Sequence, residues 1–201
     1  MKSKSEPTLY VKKQGMDDIL IVALYVDDLV FTGNNMKTIE DFINEMVKKY
    51  EMSDMELLHH FLGIEIYQGD DGGFICQSKY VEKVLKKFKM FGCKPISTLL
   101  VVNEKLMKED GGKKVDETLY RSLVGNLFYL TAIRPNIMFA ATLLSRFTNN
   151  PNYIHLGLAK RVLRYVQGTM DYGIKYDKGN EVILVGFCDR LAVIGEDVLM
   201  T

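Results

Sequence analysis

The stretch LIVALYVDDLVFTGN, residues 20–34, places two adjacent carboxylates, Asp27 and Asp28, inside an otherwise apolar run. The flanking segments ILIVAL (19–24) and LVF (29–31) are rich in Val, Ile and Leu. Their short length and composition predict two buried strands rather than one amphipathic helix. The acids then fall at the tip of a tight hairpin. Asp is a good turn former, so a bare Asp-Asp pair between strands is most simply a turn. Whether it is more than that depends on what surrounds it.

Upstream, Leu9 to Lys13 reads as a further strand, with a turn over Gln14 to Asp18. Downstream, MKTIEDFINEMVKKYEM carries Ile39, Phe42, Ile43, Met46 and Val47 at helical spacing, the pattern of a helix packed by one face. HFLGIEIYQGDDGGFICQ, Phe61 to Gln77 with its preceding His60, predicts a second hairpin. Apolar positions alternate through Leu62, Ile64 and Ile66, and the turn is built from Gly69 to Gly73. Ser78 is the expected N-cap of a helix from Lys79 to about Met90. Lys94 to Thr118, with Pro95 and KEDGGKKVDE, reads as a linker. LYRSLVGNLFYLTAI and IMFAATLLSRF predict buried helices broken at Pro135. HLGLAKRVLRYVQG (155–168) predicts a third helix with a basic face, and GIKY and VILVGFCD two closing strands. This order argues for an α+β chain in two parts.

The 201 residues suffice for a real core. An apolar fraction of 47% with 26% charged residues is that of a globular protein, and the formal net charge of zero does not advertise a polyanion partner. The distribution says more: Thr118 to Met170 contains no Asp or Glu but includes Arg121, Arg134, Arg146, Lys160, Arg161 and Arg164. Lys79 to Lys94 holds six Lys against the single Glu82. Such faces suit phosphates, although basic helices are usually solvated surface. Three widely spaced cysteines fit a reducing compartment, and no metal-ligand spacing joins them to His59, His60 or His155, which argues against zinc. With no signal peptide and no apolar run long enough to span a bilayer, the expectation is an intracellular, cytoplasmic chain without a membrane partner.

Eight motifs in order then identify a resemblance: SEPTLYVKK, LYVDDLVFTGNN, HHFLGIEI, SKYVEKVLKKFKM, CKP, YRSLVGNLFYLTAIRPNI, HLGLAKRVLRYVQGT and GIKY. Together they resemble the reverse transcriptase region of copia-type long-terminal-repeat retrotransposons of plants, across roughly residues 5 to 189. The resemblance implies a partial palm over residues 1–93, a linker at 94–118, a helical thumb and connection region at 119–170, and at 171–201 the truncated start of a ribonuclease H-like segment. It implies that Asp27 and Asp28 are catalytic carboxylates binding two Mg2+ ions, Asp27 as principal ligand. Hard oxygen donors on a rigid hairpin suit that cation, and like charges against apolar strands call for one. Tyr25, Phe61, Leu62 and Gly63 are implied to contact primer and template, with Phe61 to Gln77 as the primer grip. Lys160, Arg161 and Arg164 are implied to meet phosphates. Gly63 on its own equally reads as a glycine that relieves a packing clash. The implied partners are an RNA template, an RNA/DNA hybrid and, in the intact polyprotein, a deoxynucleoside triphosphate.

The same comparison defines gaps. A further catalytic aspartate, in a motif resembling DVKTAFLNG, is not in this sequence, nor are the fingers; the expectation is a relic, inactive as this polypeptide alone. Asp189 aligns with the first acid of the ribonuclease H segment, but RLAVIGEDVLMT follows it. Arg190 to Val193, if encoded AGA CTG GCT G, reads Asp-Trp in another frame, so a frameshift is expected here. Two other readings stand beside the polymerase fragment: a non-enzymatic nucleic-acid-binding module using the basic helices, and a transposon remnant without function. The palm sheet is expected to leave an open edge prone to self-association.

Overall fold

The computed structural model describes residues 1–15, 17–100 and 113–179. It is α+β, with two antiparallel sheets and five helices.

The first sheet has the order β1 (Leu9–Gln14), β2 (Asp18–Tyr25), β3 (Asp28–Gly33). Its register runs from Leu9 opposite Ala23 and from Leu20 opposite Gly33, closing at Tyr25 opposite Asp28. Asn34 locks the open end of the hairpin: its Oδ1 accepts from the Ile19 amide at 2.8 Å and its Nδ2 donates to the Asp17 carbonyl at 2.7 Å. Asn35 caps the helix that follows, α1 (Met36–Lys49), by accepting from the Thr38 amide. The half-buried stripe Ile39, Phe42, Ile43 and Met46 faces the sheet, with Phe42 edge-on to Phe31 at 5.4 Å. No side chain of α1 is fully buried, so this sheet and its helix share a thin core. The outer edge of β1 is partly covered: Lys2 bridges Tyr10, and the Ser3 and Val11 amides bond the Leu9 and Met1 carbonyls.

The second sheet has the order β4 (His60–Phe61), β5 (Ile64–Gly69), β6 (Gly72–Cys76), β7 (Gly173–Asp177). β5 and β6 form the hairpin expected from the alternation, closing at Gly69 opposite Gly72 around Asp70 and Asp71. Leu62 departs from that alternation, because it occupies a turn between β4 and β5. β7, the GIKY segment, pairs with β6 from about a hundred positions later in the chain, Ile174 standing opposite Ile75. Gly173 permits this approach: a Cβ there would lie 2.2 Å from the Ile75 carbonyl oxygen. The second closing strand, VILVGFCD, lies outside the described residues.

The thick core belongs to the helices: α2 (Ser78–Lys87), α3 (Glu117–Leu130), α4 (Met138–Ser145) and α5 (Tyr153–Gln167). Val84, Leu85, Leu123, Leu127, Leu130, Leu144, Val162 and Leu163 are almost completely buried there, each large side chain contributing about 1.5–3 kcal/mol. Ala140, Ala141 and Ala159 are completely buried in the same core. Asp116 caps α3 through the Thr118 and Leu119 amides. A single 3-10 turn at Pro135–Ile137 makes the break expected at Pro135. Asn152 and His155 form a capping box at the start of α5, and His155 stacks on Phe147 at 4.0 Å.

Ser78 is not the cap of α2. It lies within the helix and donates to the Met170 carbonyl at 3.1 Å, while the Glu65 carboxylate, buried in β5, accepts from the Lys79 amide at 2.8 Å. Among the described residues no helix is long and apolar enough to cross a membrane.

Candidate nucleotidyl-transfer site

The hairpin between β2 and β3 is as short as antiparallel strands allow. Tyr25 pairs with Asp28, leaving Val26 and Asp27 as a two-residue turn. Such turns match the twist of the strands when the first central residue takes a positive φ, a position that favours glycine. Here Val26 takes it, at φ 52°. A β-branched residue in that region is strained by about 1–3 kcal/mol. Val26 is 78% exposed, so packing does not select it.

The turn carries two carboxylates on consecutive residues, Asp27 at its tip and Asp28 on the first residue of β3. Both are exposed. That removes one argument drawn from the sequence: water solvates these acids, so burial does not compel a cation between them. Among the described residues no three His, Cys, Asp or Glu side chains converge on a metal position. The donor set is two hard carboxylate oxygen groups on a short hairpin, which fits part of a Mg2+ shell and leaves the remaining positions to other oxygen ligands.

Of the four hairpin residues expected at the primer and template, Tyr25 and Phe61 are in contact beside this turn. Tyr25 meets Phe61 edge-on, ring centroids 6.1 Å apart and planes at 80°. Phe61 pairs with Ile64 around a second two-residue turn, Leu62–Gly63, in which both residues have positive φ, 49° and 79°. Gly63 therefore serves the turn, at a positive φ that a Cβ resists. It also relieves a clash, since a Cβ would stand 3.0 Å from the Tyr129 hydroxyl. Leu62 is exposed at the turn's tip.

The basic trio on α5 divides in role. Arg161 donates to the Thr98 hydroxyl at 2.7 Å, and Arg164 to the Lys94 carbonyl at 2.8 Å. Both thus tie the 94–98 segment onto α5. Lys160 is exposed. Asp189, the aligned ribonuclease H acid, lies outside the described residues.

Sequence reasoning counted Arg134 with the basic residues of 118–170 that suit phosphates, whereas the structure buries it. It is 2% exposed, with the Tyr165 and Tyr172 rings 5.8 and 5.7 Å from its guanidinium and its Nη2 donating to the Thr169 hydroxyl. Burial pulls its pKa below the ordinary value, with Tyr165, Tyr172 and Asp171 acting against that pull. Its neighbours come from α5 and the approach to β7, some 31 to 38 positions away, and no local pattern announces them.

The model of the family described as reverse transcriptase (RNA-dependent DNA polymerase) matches residues 1–102, which include both turns. The chain is 35% identical over 94% of its length to the retrovirus-related Pol polyprotein from transposon RE1 of Arabidopsis thaliana. It is 32% identical, over the same share, to that from transposon TNT 1-94 of Nicotiana tabacum. It spans 13% and 15% of those two relatives. An uncharacterised mitochondrial protein of Arabidopsis thaliana, AtMg00810, is 36% identical over 85% of the chain and 70% of its own length. No solved structure matches. The acid turn and the second hairpin thus sit in a chain that belongs to the reverse transcriptase family and is similar to a portion of copia-type retrotransposon Pol polyproteins.

Proposed function

We propose that this chain supplies the metal-binding acid turn and the primer-facing hairpin of an RNA-directed DNA polymerase, with chemistry completed by other parts of a larger polyprotein. The observation that carries the reading is the two-residue turn that holds Asp27 and Asp28 adjacent and open to solvent. Enzymes of this family generally use Mg2+. Two such ions would activate the primer hydroxyl and neutralise the triphosphate and departing pyrophosphate. Asp27 is the principal ligand and Asp28 its support. Tyr25, Phe61, Leu62 and Gly63 face the primer end, the rings offering apolar surface and the Leu62–Gly63 backbone a close approach. Lys160 meets backbone phosphate; Arg161 and Arg164 contribute by holding the 94–98 segment against α5. Template RNA, RNA/DNA hybrid and deoxynucleoside triphosphate are the partners.

Two carboxylates cannot hold two ions in register. Residues 1–201 by themselves therefore bind the cation weakly and do not extend a primer. Mn2+, added to the 15N-labelled chain, should broaden the amide resonances of Val26, Asp27 and Asp28, and Asp27→Asn should abolish the effect. Broadening elsewhere, or broadening that survives Asp27→Asn, refutes the site. Metal-dependent primer extension by residues 1–201 refutes the incompleteness.

A further inference from the structure

The acid turn belongs to the thinly packed sheet, yet its position matters to a fraction of an ångström if it is to hold a cation. A chain of contacts links it to the thick core. Tyr129, on α3, is fixed there from two sides. Its ring packs on Tyr80 at 4.5 Å between centroids, and its carbonyl accepts from Nε2 of the buried Gln77 at 3.3 Å. Leu127 and Leu130, either side of it on α3, are completely buried. The Tyr129 hydroxyl occupies the space beside Gly63 that a side chain would need: a Cβ there would stand 3.0 Å from it.

The Leu62–Gly63 turn is short and both its residues have positive φ, so it has little freedom to rotate Phe61 away once Gly63 is seated. Phe61 in turn meets Tyr25 edge-on, in a favourable ring geometry. Tyr25 is the last residue of β2 and pairs with Asp28 across the acid turn. From Gly63 onward each link is a two-residue turn or an aromatic contact.

We infer that Tyr129 is a positioning residue for the acid turn, acting through Gly63, Phe61 and Tyr25. The inference takes its functional meaning from the reading of Asp27 and Asp28 as metal ligands. In physical terms, α3 sets where the turn stands relative to the second hairpin, the two surfaces between which a primer end would lie. Tyr129 touches no reacting group.

The test is the amide spectrum of the full chain without metal. Tyr129→Leu should displace the Val26, Asp27 and Asp28 resonances while Lys12 and Asp18, at the far end of the same sheet, stay in place. Phe61→Ala should displace the same resonances and make them indifferent to a second change at Tyr129. Tyr129→Phe, which keeps the ring and the fold, should give a smaller displacement in the same direction. Displacement confined to Leu62 and Gly63 in the Tyr129 variants, or a response to Tyr129→Leu that persists in the Phe61→Ala background, overturns the inference. If Tyr129→Leu fails to fold, Tyr129→Phe with and without Phe61→Ala decides. These shifts need no cation, so loss of Mn2+ binding sinks the site reading alone, and unmoved amides with Mn2+ still bound sink the relay alone.

Discussion

The Glu65 carboxylate accepts a hydrogen bond from the Lys79 amide at 2.8 Å, so a strand side chain caps a helix that begins 13 residues later. The helix's own N-cap residue, Gln77, makes no such bond. Glu65 is 5% exposed, and water does not replace it. Glu65→Ala should lower stability by about 1–2 kcal/mol through the lost cap and the lost charge at the positive end of the helix. Glu65→Gln keeps an acceptor oxygen and should lose less. Urea denaturation of the three proteins checks the order.

Val26 occupies a conformation suited to glycine. Val26→Gly should raise stability by about 0.5–1.5 kcal/mol, the relief of a strained β-branched residue outweighing the extra freedom of the unfolded chain. The melting temperature measures it. A drop instead would mean that the Val26 side chain, exposed though it is, makes a contact that matters.

Tyr120 is completely buried, and its hydroxyl donates to the Leu144 carbonyl at 2.9 Å, joining α3 to α4. Burial pushes its pKa well above the ordinary 10.0. The sign follows. The folded state holds the proton more tightly than the unfolded state, so this contribution is complete below the unfolded value and declines as pH rises beyond it. Stability should fall above about pH 10, and the fall should be shallower in Tyr120→Phe. At neutral pH that variant should cost about 0.5–1.5 kcal/mol, the net worth of the lost hydroxyl bond, since the Leu144 carbonyl still accepts from the Phe147 amide. Denaturant midpoints across the alkaline range decide both.

Arg134 separates packing from charge. Its Nε and Nη1 are buried without a hydrogen-bond partner. Removing a buried and incompletely paired charge is often neutral when the replacement fills the space. Arg134→Met should therefore cost less than about 1 kcal/mol, whereas Arg134→Ala, which empties the gap between Tyr165 and Tyr172, should cost about 2–4 kcal/mol. Equal losses in the two variants would show that the charge itself, held by the rings and Thr169, is what stabilises this corner.

Local signals carried most of the elements. The β2–β3 hairpin followed from two apolar runs around Asp27, α1 from the spacing of Ile39, Phe42, Ile43 and Met46, and the helix break from Pro135. Each depends on residues within a few positions of one another, which sequence displays directly. The cap of α2 did not follow, because Ser78 satisfied the local rule while Glu65 won by tertiary approach. Leu62 misled for a related reason: alternation does not distinguish a strand from a strand interrupted by a two-residue turn.

The family, the α+β class and the place of Asp27 and Asp28 at a hairpin turn were legible in the amino-acid order, since these rest on ordered motifs and local periodicity. The solvent exposure of Asp27 and Asp28, the hold of Arg161 and Arg164 on the chain at 94–98, the pairing of β7 with β6 and the approach of Tyr129 to Gly63 emerge from the folded chain. Those facts come from contacts between residues tens of positions apart, fixed by how the helical core and the two sheets pack, and no short pattern in the chain encodes such distances.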